Sequence, residues 1–247
     1  NIGIGECAFK VLDGSGSYGG DKNIAIGCCA GVTLVGGEGH VLIGANAGAG
    51  LCAGYNSIFI GTNTGCDSSC NLVSEFNIGM GYGALGRVTG HCNIAMGYEA
   101  MNLGSGSHNF AVGRYAGGSN LASNNNLFIG ECAGRYGITG SGNNIVIGKR
   151  AAFCASSIAY NIVMGNCAAR RMTSGACNIV IGKDAALGDA ADFTGSDNII
   201  MGRKAGCSIT SGVTNVIIGI GAGEKLTTGN ENVLIGEGAG ACLETAG

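Results

Sequence analysis

The sequence predicts an all-β protein built as a β-solenoid, and three observations predict it. Of 247 residues, 50 are Gly and none is Pro. A string whose commonest form is N-I-x-I-G-x-x-A-G recurs fourteen times between Asn1 and Gly240. Successive copies lie 16 to 22 residues apart, most often 17, which is too short for a helical-hairpin repeat of roughly 33 residues or more. A helix would also lose about 1 kcal/mol at each Gly. Polar–apolar alternation over four residues that ends in Gly reads instead as a short strand running into a corner. One strand and its turn cannot bury their own face, so such coils must stack.

The repeat falls into elements in chain order. Asn opens the strand in twelve copies, and His40 and Ser57 replace it in the other two. Asn suits a turn position, and stacked Asn amides can form a ladder. The positions three and one before the Gly are apolar in every copy, and the alternation places both on one face. We expect that face to fill the coil, with Ile26, Ile43, Ile60, Ile129, Ile147, Ile181, Ile218 and Ile235 as interior residues. The corner itself is Gly, as at Gly27, Gly44, Gly61, Gly97, Gly130, Gly148, Gly182 and Gly219, where backbone freedom serves a tight turn. Ala follows three residues later in thirteen copies, with Thr64 the departure, and limits side-chain volume. The links carry turn signals such as Thr89-Gly90 and Thr228-Gly229, with apolar residues Leu34, Leu103, Ile138, Met172, Val213 and Leu226. These predict a second, shorter wall per coil. Protruding loops are expected at Val11–Gly20, Cys70–Glu75 and Asp189–Phe193.

The position two before the Gly should then point outward, yet it is apolar: Val146, Val163, Val180, Ile200, Ile217 and Leu234 are examples. A strand apolar on both faces is buried on both. This predicts an interchain interface that three rods around one axis would hide, and an Asp at Val163 would be expected to break the assembly. A wide coil whose second wall covers that face is the alternative.

Composition excludes other classes. Collagen needs Gly near one-third together with abundant Pro, and disorder needs far more charge than the 12% present here. The formal charge of −3 does not point to nucleic acid. No apolar run approaches a membrane-spanning length, so no membrane insertion is expected. The chain starts at Asn1 rather than Met, which points to processing or to a piece of something longer.

The segments Asn23–Gly27, Asn144–Gly148, Asn178–Gly182 and Asn198–Gly202 resemble the head repeats of trimeric autotransporter adhesins. They are still more similar to the N-x-A-I-G-x-x-A repeats of tail-fibre proteins from phages and large viruses. The resemblance covers essentially the whole chain. It implies a left-handed β-roll, a homotrimer, and an extracellular fibre used in attachment, as part of a virion or a cell-surface appendage. Adhesin head coils are shorter, and they carry Ser where this chain has Ala.

Chemistry-bearing motifs are sparse. I-G-x-x-A-G matches one hexapeptide of the left-handed β-helix acyltransferases, whose catalytic His would have to be His40, His91 or His108; all three sit in register as turn residues. Gly14-x-Gly16-x-x-Gly19 matches a dinucleotide fingerprint but has no helix after it. No cofactor and no metal are expected. Thirteen Cys occur; Cys7 and Cys29 occupy one repeat position on successive coils, where strand spacing permits a disulfide. Arg114, Lys149, Arg150, Lys183, Arg203 and Lys204 all follow the corner Gly by one or two residues. Stacking would align them as an edge for an anionic ligand such as a host-surface glycan, or as an ordinary solvated edge.

These readings converge on one repeat domain over residues 1–247, with about fourteen coils and no caps, acting as a non-enzymatic, trimeric fibre. An extracellular filament that grows end to end is the alternative, and a hexapeptide-type transferase the remote one.

Overall fold

The structure is a computed structural model that describes residues 1–11, 20–66, 72–118, 122–136, 138–188 and 191–245. Among these there is no helix, and the protein is an all-β, parallel β-solenoid. It divides into two compact units, Asn1–Leu121 and Ala122–Gly247. The fingerprint at Gly14, Gly16 and Gly19 and most of the Val11–Gly20 loop lie outside the described residues.

In the first unit, strands Ile2–Ile4, Ile24–Ile26, Val41–Ile43, Ile58–Ile60, Ile78–Met80, Ile94–Met96 and Phe110–Val112 form a parallel sheet. Each pairs with the next without slip, so Ile24 stands against Ile2 on one side and Val41 on the other. The second unit repeats this with Leu127–Ile129, Ile145–Ile147, Ile162–Met164, Ile179–Ile181, Ile199–Met201, Val216–Ile218 and Val233–Ile235. One strand per repeat joins the sheet, so the repeat spacing in the sequence is the coil length.

The corner Gly is obligatory for two reasons. At Gly27, φ is +137°, a conformation that an L side chain rarely adopts. A Cβ there would also lie 2.5 Å from the carbonyl oxygen of Gly44 in the next coil. Coils therefore stack backbone on backbone at this corner, and any side chain would separate them.

The Asn residues form a buried ladder. In the second unit the backbone N–H of Asn144, Asn161, Asn178, Asn198, Asn215 and Asn232 each donates to Oδ1 of the preceding Asn at 2.9–3.0 Å. Nδ2 donates to the same Oδ1 and reaches across the coil, as from Asn178 to the carbonyl of Gly195 at 2.9 Å and from Asn215 to that of Gly229 at 2.8 Å. The Gly of the link turns thus supplies the acceptor that the ladder needs.

The second wall is present where the links predict it. Leu34, Ile138, Met172 and Leu226 are fully buried, while Leu103 and Val213 are half-buried. Short paired strands reinforce it at Ser157–Ala159 with Ser174–Ala176 and at Arg87–Val88 with Leu103–Gly104. Two of the expected loops are walls instead. Leu72–Glu75 is a strand paired with Leu51–Tyr55, and Phe193 is fully buried and bridges to Met172. Phe193 closes the coil there, and residues 70–71 and 189–190 of the two expected loops lie outside the described residues.

The two faces of the main strands are exchanged relative to the sequence expectation. Val146, Val163, Val180, Ile200 and Ile217 are completely buried inside the coil, and Leu234 of the last coil is half-buried. They therefore cannot form an interchain interface. The residues expected inside lie on the outer face: Ile26 is 37% and Ile129 36% exposed, Ile235 is exposed, and Ile43, Ile60, Ile147, Ile181 and Ile218 are half-buried. The ladder dictates this orientation. Asn must turn inward to reach the opposite wall, and period-two alternation carries the position two residues later, the one before the last strand residue, inward with it.

Candidate functional site

The largest unusual surface is the outer face of the main sheet. It carries two ranks of side chains, three residues and one residue before each corner Gly. Every position in both ranks is Ile, Val, Leu, Phe or Met. In the first unit the ranks run Ile24, Val41, Ile58, Ile78, Ile94 and Ile26, Ile43, Ile60, Met80, Met96 in unbroken register. The second unit continues the pattern independently, with Ile145, Ile162, Ile179, Ile199 beside Ile147, Met164, Ile181, Met201.

Strand spacing explains the partial exposure. Side chains about 4.8 Å apart along a rank cover each other's flanks and leave their tips in water. Met80, Met96, Phe110, Ile145 and Met164 are all 36–38% exposed. Each unit thereby presents an uninterrupted double rank of partly exposed apolar side chains, and contiguous exposed apolar patches mark interaction surfaces. No charged or hydrogen-bonding side chain interrupts the two ranks.

The basic edge is not uniform. In the second unit Lys149 pairs with Glu131 at 3.1 Å, Lys183 approaches Asp184 at 4.0 Å, and the Arg150 guanidinium lies 5.9 Å from the centre of the Phe153 ring. Arg203 and Lys204 are exposed. Arg114 belongs to the first unit and lies over Tyr115. Carboxylates from the same stacked positions are interleaved with the cations, which leaves no continuous cationic groove within the second unit.

The three His residues serve the coil. His40 is fully buried and replaces a ladder Asn atom for atom. Its N–H accepts its place in the ladder by donating to Asn23 Oδ1 at 2.9 Å. Its Nδ1 accepts from the Ser57 N–H at 3.2 Å, and Nε2 faces the Gly54 carbonyl at 3.1 Å. This pattern requires the neutral ring protonated on Nε2. Burial holds its pKa down at about 4, well below the ordinary 6.5. Ser57 then passes the ladder on, accepting from the Asn77 N–H. His91 and His108 stack on adjacent coils, the His108 N–H donating to the His91 carbonyl at 3.0 Å.

A shallow polar cleft of about 320 Å³ in the first unit is lined by residues including Asn63, Tyr82, Arg87, Glu99 and Asn102, and by none of the His. Tyr82 stacks on Tyr98 with ring centres 5.2 Å apart. Among the described residues, no group of three or more His, Cys, Asp or Glu is placed to hold a metal, and no helix is long and apolar enough to cross a membrane. Cys7 and Cys29 take equivalent places on adjacent coils, with φ of 56° and 57°. Cys28, which the spacing argument left aside, joins them: its Sγ lies 3.7 Å from that of Cys29.

No protein-family model, no curated protein and no solved structure matches the chain.

Proposed function

We propose that the chain is a non-enzymatic structural subunit of an extracellular attachment fibre, of the virion or cell-surface kind, and that it packs through its aliphatic sheet face against two further copies of itself. The observation that carries this reading is the double rank of aliphatic side chains, unbroken by charge in either unit. A second copy offers the matching surface, because its ranks have the same spacing along the sheet. Closed rotational symmetry would bury all copies equally and leave no apolar face in water. A stable interface buries about 800 Å² per partner, the area that such packing must reach. The repeats' resemblance to adhesin heads and tail fibres favours three copies and an extracellular setting. A host-surface glycan is the receptor class that this setting suggests.

The test is solution mass by light scattering, with the chain at 24.3 kDa. Three times that value is expected. A monomer at micromolar concentration would overturn the proposal, and rods that lengthen with concentration would replace it with end-to-end growth.

A further inference from the structure

The first two coils bring three thiols together at one corner. Strands Ile2–Ile4 and Ile24–Ile26 are in register, with Ile4 against Ile26, so three residues on, Cys7 stands against Cys29. The Cys29 N–H donates to the Glu6 carbonyl at 2.8 Å, which holds the two backbones at sheet distance at this point. A Cα separation near the ~4.8 Å strand spacing falls inside the 4.4–6.8 Å range that disulfides span, with both Cβ atoms leaving equivalent backbone conformations. Cys7 and Cys28 are exposed and Cys29 is half-buried between them. Elsewhere this repeat position is not filled by Cys on two successive coils: Cys132 and Cys167 are separated by the coil that carries Arg150.

We propose that Cys7, Cys28 and Cys29 form a thiol–disulfide exchange site at which a soluble disulfide of the glutathione class oxidises Cys7 and Cys29 to a cross-coil staple. Cys7 reacts first. It loses its proton to water, and its thiolate attacks one sulfur of glutathione disulfide. The glutathione S–S bond breaks, one glutathione thiolate leaves, and a mixed disulfide stands on Cys7. Cys29 then loses its proton to water and attacks the Cys7 sulfur, closing the Cys7–Cys29 bond and expelling the second glutathione thiolate. Two protein thiols are oxidised, and one glutathione disulfide is reduced to two thiols.

The order of reaction follows from the surroundings. Cys29 shares a hydrogen bond with Cys28, and this contact, with desolvation and the neighbouring thiols, pushes its pKa up; a thiol that holds its proton is the slower nucleophile. Cys7 is exposed and meets the soluble disulfide first. The vicinal pair Cys28–Cys29 is the poorer partner for the bond, because adjacent Cα atoms stand only about 3.8 Å apart, outside the disulfide range.

The experiment incubates the full chain with glutathione disulfide, quenches with acid and alkylating agent, and maps the non-reduced peptides by mass spectrometry. A Cys7–Cys29 cross-link is expected, the linked peptide pair being lighter by two hydrogen atoms than its two reduced peptides together. Exposed Cys177, on a coil without a stacked Cys at its position, serves as the internal control and should retain a glutathione adduct. In Cys29→Ser the adduct should persist on Cys7. This position is half-buried, and a thermal melt confirms that the variant folds. Cross-links between chains, a Cys28–Cys29 bond, or adducts on Cys7 that persist in the wild-type chain as they do on Cys177 would each overturn the proposal. The outcome is independent of whether the chain is trimeric.

Discussion

Val163 and Met164 are adjacent in one strand, and the structure assigns them opposite fates. Val163 is completely buried, in register with the equally buried Val146 and Val180 of the adjacent coils, whereas Met164 is 37% exposed on the outer face. An Asp at 163 would place a carboxylate in the coil interior, in register with buried Val146 and Val180. Leaving a charge buried and unpaired costs about 3–5 kcal/mol. An Asp at 164 points into water in the isolated chain and should cost no more than about 0.5 kcal/mol there. In an assembly packed through the outer face, however, it would bring one carboxylate from each copy into an apolar seam. Urea unfolding followed by circular dichroism, beside light scattering at the same concentration, separates the two effects. Val163→Asp should lower the unfolding midpoint by about 1–2 M urea, while Met164→Asp should leave it nearly unchanged and reduce the mass to that of one chain. If Val163→Asp kept its midpoint and lost assembly while Met164→Asp kept both, the assignment of the two faces would be refuted.

Three further outcomes follow from the ladder and the core. Asn161→Ala removes the acceptor of the Asn178 N–H and the donor to the Gly175 carbonyl; unsatisfied buried groups should lower stability by about 2–4 kcal/mol, measurable by urea titration. The unfolded chain takes up a proton on His40 below pH 6.5, but the folded chain resists protonation until about 4. Stability is therefore complete above pH 6.5, falls as pH drops through this window by about 3 kcal/mol, and levels off below it. His40→Asn, which restores the repeat residue, should flatten that part of the stability–pH curve. Gly65 has φ of +58°, and a Cβ there would meet the Phe59 ring at 2.6 Å. Gly65→Ala should cost about 2–3 kcal/mol, yet much less in a Phe59→Val background, with a coupling of about 1 kcal/mol or more in a double-mutant cycle.

The architecture was legible because it is written as spacing. Gly at every corner, Asn at twelve of the fourteen strand starts and apolar residues in the links predict the coil, its ladder and its second wall, since each follows from local backbone chemistry that repeats. Which face turns inward was not legible from hydrophobicity, because all three strand positions are apolar and alternation without a polar phase has no sign. The four-residue turn after each corner did contain the sign. Large residues two before the corner accompany Gly four after it, as Leu42 with Gly48, Phe59 with Gly65 and Phe128 with Gly134. Val at the first position accompanies Ala at the second, as Val163 with Ala169 and Val180 with Ala186, and Gly79 or Ala95 accompanies Leu85 or Met101. Two positions trade volume in this way only if they share one closed space. Ala25 with Gly31 and Ala111 with Gly117 break the trade within a coil; at Gly31, Phe9 of the neighbouring coil supplies the missing volume, its ring 3.0 Å from where a Gly31 Cβ would stand. The outer ranks show no such exchange: they hold Ile, Val or Met in nearly every coil regardless of their neighbours. A core facing its own chain adjusts coil by coil, whereas a surface that must match a repeated partner keeps one size throughout. That uniformity, more than apolarity, is the feature on which the proposed self-packing of the outer face rests.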